Sequence, residues 1–267
     1  MESPQTDNQA PKPVRVSILV VSQNQVQLLR STLAALAARN NAEQSEVIVV
    51  DCGSRDGSAR IDEEFDGITV LRLPRNFGWT KAINIATRTA KGEFLFVVPN
   101  GVEITPDTIE RLVAAMEANP QAGAVCPAAE LYALPKPGDV ELTRGSEYPF
   151  DQPVLYPKLA LVSMNYLPET YGQYYADLEL FYKIREAGKQ VVVLSDLVLK
   201  RERARQEMID GEMDIADRLN GLGAFYSKNY GFAAGFSFWL RQTLKAALSF
   251  RLGLAGKLLS GSKVDGL

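Results

Sequence analysis

A few short stretches hold the residues able to do chemistry. Asp51 opens "DCGSRDGS", an acid followed by a turn of small residues. A carboxylate at that point can accept a hydrogen bond from a base imide N–H, and a Gly-Ser turn lets a ligand approach the backbone. Asp51 and Ser54 can equally cap the turn and the helix after it. Further on, "KRERAR" groups Lys200, Arg201, Arg203 and Arg205. A guanidinium is a fixed fork of donors that matches phosphate oxygens; the plainer alternative is a solvated basic turn that pairs with Glu202 and Glu207. Asp177 and Glu179 stand in "ADLE", preceded by Tyr166, Tyr171, Tyr174 and Tyr175. There is no histidine, and the only cysteines, Cys52 and Cys126, are far apart. No paired metal or redox spacing exists, so neither thiol reads as a nucleophile and a reducing cytoplasm is the expected setting.

These residues need a frame, and the chain supplies one by alternation. "VRVSILVV" (14–21) is a short β-branched run. After it, Leu28, Leu29, Leu33 and Leu36 recur at helical spacing. The pattern returns with "EVIVVD" (46–51), "ITVLRL" (68–73), a helix through "TKAINIATRTA", and "EFLFVV" (93–98). Thr105 and Pro106 are expected to start the next helix, which runs to about Ala118 before "AGAVCP" gives a strand. Strand-helix alternation predicts right-handed crossovers and a mostly parallel sheet covered on both faces, an α/β fold with its sheet core at 14–127. In such a sheet ligands bind beyond the carboxyl ends of strands, which directs attention to "SQN" (Ser22 to Asn24) after the first strand and to Asp51 after the second.

From 128 to 157 the pattern stops, and Pro135, Pro137, Pro149, Pro153 and Pro157 predict a long loop. A helix from Ala176 to Ala187 stopped by Gly188, a strand "QVVVL", and helices to the C-terminus complete the reading. The expected divisions are a disordered leader (1–13), a first half (14–127), a second half (128–210) and a helical tail (211–267).

"VSILVVSQN", "EVIVVDCGSRDGS" and "RNFGWTKAINIATRTAKGEFLFVVPNGVEITPDTIERL", in that order and spacing, resemble the N-terminal half of family 2 glycosyltransferases. The likeness continues more weakly through "YYADLELFYKIREAGKQVVVL" and "AFYSKNYG". It implies a GT-A fold, a nucleoside-diphosphate-sugar donor and an inverting displacement assisted by a base. Asp51 falls where the family contacts the nucleobase, Asn76, Gly78, Lys81 and Asn84 fall on the stretch that shapes the nucleotide pocket, and Lys81 can approach phosphate. A plainer role for that stretch is a helix start with Asn76 as cap and Trp79 as core. Asp177 matches the family's catalytic carboxylate, with Glu179 at a later acidic position; an N-terminal Asp that only favours the helix dipole is its alternative. Sugars stack C–H faces on rings, so Tyr174 and Tyr175 are acceptor-side candidates, although tyrosines beside a Pro-rich loop more often pack it.

The departures from the family pattern are as informative. Where the resemblance calls for metal-binding acids after "FLFVV", the chain has Pro99, Asn100 and Gly101, with Glu103 two positions too far on. Asn100 alone is a poor ligand for a hard divalent cation. The metal-ligating histidine expected after the last strand is replaced by the basic cluster. A divalent metal is usual in the family, but its ligands are missing, so no metal site is expected; Arg201, helped by Lys200 or Arg203, is expected to replace the cation.

A net charge of −3 and a sequence pI near 5.3 give no reason to expect nucleic acid as partner. Residues 232–259 are apolar but interrupted by Arg241, Lys245, Arg251 and Lys257, too often for a membrane span. They read either as an interfacial helix on anionic lipid or as a helix folded onto the domain or a second subunit in a homodimer. The expected place is cytoplasmic, peripheral on the inner face of the cell membrane. Two function classes follow: a transferase of a hexosyl or deoxyhexosyl group to a glycan or lipid-linked acceptor, and a non-catalytic relative that binds nucleotide sugar or a partner.

Overall fold

The computed structural model describes residues 13–128, 152–202 and 211–265. In chain order its elements are β1 (Val16–Ser22), α1 (Val26–Ala37), β2 (Ser45–Cys52), a 3-10 helix (Gly57–Glu63), β3 (Ile68–Leu73), α2 (Trp79–Thr89), β4 (Phe94–Val97), β5 (Val102–Glu103), α3 (Thr108–Ala118) and β6 (Ala122–Pro127). After them come β7 (Val154–Pro157), α4 (Lys158–Ser163), α5 (Ala176–Glu186), β8 (Gln190–Leu194), β9 (Lys200–Arg201), α6 (Gly211–Tyr230), α7 (Phe232–Leu248) and α8 (Leu252–Leu259).

Seven strands form one sheet in the order β3-β2-β1-β4-β7-β6-β8. β1 runs parallel to β2 and β4, β2 parallel to β3, and β6 parallel to β8, while β7 is antiparallel to both its neighbours. Strands buried on both faces need apolar side chains pointing both ways, which is why β1, β2 and β4 read as continuous apolar runs. Alternate residues feed two cores. Ile18, Val49 and Phe96 join Leu29, Leu33 and Leu112 under α1 and α3. Leu19, Val50 and Leu95 join Ile83, Phe181, Phe225 and Leu258 under α2, α5, α6 and α8. Each such aliphatic or aromatic side chain contributes about 1.5–3 kcal/mol on burial, so the two faces together hold the strand ends in fixed register.

Three expectations change. The sheet core placed at 14–127 takes in β7 and β8 as well, and β7 lies inside the stretch read as a loop. Pro153 and Pro157 do break helix, but Pro153 precedes and Pro157 ends a strand whose Leu95↔Tyr156 and Phe96↔Leu155 pairings sit mid-sheet. The helix expected from Thr105 starts at Thr108, because the Thr105 N–H and hydroxyl both turn onto the Thr108 hydroxyl at 2.9 and 2.8 Å and make a separate turn first. Gly78 precedes α2 as its cap residue in place of Asn76. Residues 1–12, Pro135, Pro137, Pro149, Arg203, Arg205 and Glu207 lie outside the described residues.

Candidate functional site

With the strand order reversing between β1 and β4, the crevice of this open sheet opens beyond the carboxyl ends of those two strands. Ser22 ends β1 and Asp51 sits beside it, one residue before the end of β2, paired in register. Asp51 is 2% exposed. Its Oδ2 accepts the Ser54 N–H at 3.2 Å, whereas its Oδ1 and the Ser22 hydroxyl are buried with no hydrogen-bond partner. A buried polar atom left in that state costs about 1–3 kcal/mol, which marks this strand end as a place where the fold holds acceptors ready.

Hydrogen bonds join the loops around it. Asn24, in the left-handed region at φ 51°, offers its N–H to the Ser54 hydroxyl at 2.9 Å, and its Oδ1 accepts the Arg55 N–H at 2.8 Å. Asp56 accepts the Val26 and Ser58 N–H groups at 2.9 Å each; against the cost of partial burial these bonds hold its carboxyl below the usual range. Asn76 links the loop after β3 to the loop after β1, its Nδ2 donating to Gln23 Oε1 at 2.8 Å while its Oδ1 accepts the Gly78 N–H at 2.8 Å. Gly78, at φ 84°, is required: a Cβ there would lie 2.6 Å from the Val264 carbonyl.

The end of β4 closes the crevice. Asn100 donates from Nδ2 to the Val21 carbonyl at 3.1 Å and to Gln25 Oε1 at 3.0 Å, and its buried Oδ1 has no hydrogen-bond partner. Gly101, at φ 81°, turns the chain into β5, which pairs antiparallel with β9: Val102 faces Arg201 and Glu103 faces Lys200. The Glu202 N–H donates to the Gly101 carbonyl at 2.8 Å. Two segments about a hundred residues apart in sequence therefore meet, the Asn100-Gly101 turn and the start of the basic cluster. A hard divalent ion takes several oxygen ligands. This turn provides one amide oxygen beside a strand that carries cations, and among the described residues no three His, Cys, Asp or Glu side chains gather to hold a metal. The described residues of this turn do not fit a metal.

Asp177 stands in the first turn of α5, half-buried, its Oδ1 accepting the Leu178 N–H at 2.8 Å. Burial and the nearby Asp177 charge push the Tyr156 phenol up, and Tyr156 pairs with Leu95 of β4. β7 is thus the element that brings the surroundings of Asp177 to the central strands.

Five other candidates turn elsewhere. Asn84 is 1% exposed and its amide clamps the Leu167 backbone, donating to the carbonyl at 2.9 Å and accepting the N–H at 3.0 Å, which occupies it with packing. Lys81 is ion-paired with Asp265 and lies 5.8 Å from the Phe77 ring centroid. Glu179 is wholly buried, accepting from the Tyr171 hydroxyl at 3.1 Å and Asn229 Nδ2 at 3.0 Å and ion-paired with Lys228 at 2.6 Å, so it ties α5 to α6 instead of facing an open cleft. Tyr174 and Tyr175 are buried; Tyr174 bonds to Asp214 under the Arg218 guanidinium, 4.6 Å from the ring centroid, and these two pack as tyrosines by a loop do. Burial and the charge of Asp51 push the Cys52 thiol up to about 12, and burial takes Cys126 to about 11, so both stay protonated.

Sequence reasoning passed over Gln23, Gln25 and Thr32. Gln23 and Gln25 hold Asn76 and Asn100, and the Thr32 hydroxyl accepts the Gly101 N–H at 2.9 Å. "SQNQ" carried that signal as two amides flanking a strand-end Asn.

Residues 17–133 match the family model described as Glycosyl transferase family 2. Among curated relatives, an undecaprenyl-phosphate 4-deoxy-4-formamido-L-arabinose transferase of Pseudomonas fluorescens is 33% identical over 117 residues, 40% of this chain and 34% of that protein. The chain spans about a third or less of the length of the first curated relatives it matches, 13%, 34% and 26%. Among solved structures, the mannosyltransferase PcManGT from Pyrobaculum calidifontis in complex with GDP-Man and Mn2+ aligns with TM-score 0.60 at 18% identity, over 94% of this chain and 75% of that one. S. aureus TarS 1–349 in complex with UDP-GlcNAc aligns with TM-score 0.61 at 20% identity, over 84% and 70%.

Proposed function

We propose that this chain, which carries a family 2 glycosyltransferase segment over residues 17–133 on a GT-A fold, transfers a hexosyl or deoxyhexosyl group from a nucleoside-diphosphate-sugar without a metal ion. The donor would lie across the β1–β4 crevice, its base N–H on Asp51, its ribose and base edges against Ser22, Asn24, Ser54, Asn76 and Gly78, and its diphosphate between the Asn100 turn and Arg201. The acceptor hydroxyl oxygen would attack the anomeric carbon as the bond from that carbon to the diphosphate oxygen breaks, with inversion. Asp177 would take the acceptor proton, and the charge gathering on the leaving diphosphate would be met by the Arg201 guanidinium. We read the acceptor as a glycan or lipid-linked sugar met at the inner face of the cell membrane.

The single observation that supports metal-free transfer is the β5–β9 pairing, which sets Arg201 beside the turn at the end of β4 where the family pattern would have carboxylates. A guanidinium fork neutralises and orients phosphate oxygens much as a cation would. The test is turnover of a panel of nucleoside-diphosphate-sugars with a membrane lipid extract as acceptor, with and without chelator. Wild type should turn over equally in both, Arg201→Ala should lose at least about a hundredfold with Arg201→Lys intermediate, and Asp177→Asn should bind donor normally but not transfer. Turnover abolished by chelator, or untouched in Arg201→Ala, would sink metal-free transfer. Donor binding without turnover under any condition would favour the non-catalytic alternative, for which the Asn in place of an acid at position 100 is the motivating residue.

A further inference from the structure

The inward face of α7 is already seated: Gly235, Phe238, Thr243 and Ala246 are buried, and a Cβ on Gly235 would lie 2.5 Å from the Gly223 carbonyl of α6. The outward face should then be polar, as on a helix that meets water. It is not. Phe232, Phe236, Leu240, Leu244 and Leu248 follow one another at four-residue spacing and are all exposed, Leu248 at 80%. Each step advances about 40° around the helix, so the row stays within an arc of about 160°. Phe250 at 90%, Leu252 at 70% and Leu259 at 65% exposure carry it on to α8. Phe232 stacks on Phe236, and Phe236 lies against Trp239, both at 5.7 Å, over a notch floored by Gly223, Ala224 and Gly235. The Trp239 indole N–H donates to the Leu258 carbonyl at 3.0 Å, which binds α7 and α8 into one surface. An apolar patch this continuous marks an interaction site.

Charge identifies the occupant. Between Gly231 and Lys263 the sequence has Arg241, Lys245, Arg251, Lys257 and Lys263 and no acid, in a chain of net charge −3. Lys257 and Lys263 turn to Glu212 and Asp265, whereas Arg241, Lys245 and Arg251 are exposed beside the apolar row. We infer that α7 and α8 form a docking face for an anionic phospholipid surface, the apolar row entering the acyl boundary and the three cations meeting head-group phosphates. A second copy of the chain on the same face would bring like charges together, which argues against a dimer there. No helix among the described residues is long and apolar enough to cross a membrane, and a helix lying in the surface plane needs no such length.

Lipid docking and sugar transfer are separable, since docking needs no nucleotide and donor titration needs no lipid. The test is flotation of the full chain with vesicles of phosphatidylcholine alone and with about one third phosphatidylglycerol. The protein should float at least about tenfold more with the anionic vesicles and be released by high salt. Leu244→Ser with Leu248→Ser should cut flotation at least about tenfold at unchanged thermal melting, and Leu159→Ser, an exposed apolar residue on α4, should leave it alone. No flotation, or flotation equal in the double variant, would overturn the inference. So would a dimer by light scattering that the double variant splits, which would assign the face to a second copy.

Discussion

Asp51 has one carboxylate oxygen on the Ser54 N–H and the other without a partner, 2% exposed at the end of a central strand. Asp51→Asn keeps an oxygen for Ser54 and puts an N–H₂ where an acceptor is needed. A hydrogen bond to a charged group is worth about 1.5–3 kcal/mol, so nucleotide affinity by calorimetry should fall roughly ten- to a hundredfold at unchanged melting temperature. Unchanged affinity would reduce Asp51 to a turn cap. Asp217 makes a different kind of prediction. Burial pushes its carboxyl up to about 7, although it accepts the Gln173 N–H at 2.6 Å. With its folded value above the unfolded one, the unfolded chain releases the proton first, so stability falls as pH rises from about 4 to about 7 and is level above. Asp217→Asn should flatten that slope and melt at or above wild type at pH 8. The strand-end candidates Ser22, Asn24, Asp51 and Ser54 were legible because alternation of strands and helices locates strand ends. Glu179 and Asn84 were not, because periodicity says nothing of a polar side chain whose partner, Lys228 or Leu167, comes from a distant segment.

At the scale of elements, the pairing of β5 with β9 matters most to the site and left no trace in the sequence, since two-residue strands have no period to read. It depends on Gly101, where a Cβ would stand 2.0 Å from the Glu202 carbonyl oxygen at a φ of 81°. Gly101→Ala should therefore displace β9 and lower donor affinity at least about tenfold while leaving the remote α7 face intact, a contrast that calorimetry and vesicle flotation read separately. Asn84→Ala should act through packing alone. It orphans both Leu167 backbone groups in a buried setting, costs about 2–4 kcal/mol and lowers the melting temperature by roughly 5–10 °C, with donor affinity kept in the folded protein. β7 was hidden by Pro153 before it and Pro157 at its end, which the sequence presents as breakers and the sheet uses to bound the strand.

For the molecule as a whole, the strand order places the crevice between β1 and β4, and two apolar cores clamp the sheet from both faces so that the loops beyond it are held in register. The doubly covered sheet was visible in the continuous apolar runs, whereas the antiparallel insertion of β7 and the pairing of Val102 with Arg201 needed three dimensions. The C-terminal helices add a second surface, apolar and cationic, so the chain joins the crevice proposed for the donor to a face suited to anionic lipid. The proposed transfer turns on recognition of the donor diphosphate by a guanidinium in place of a metal. Its most direct test is calorimetric titration of the full chain with a panel of nucleoside diphosphates and their sugars, in manganese and again in chelator, for wild type and Arg201→Ala. One nucleotide should bind equally in both conditions and at least about tenfold more weakly to Arg201→Ala. Binding that appears only with manganese, or that Arg201→Ala leaves unchanged, would contradict it.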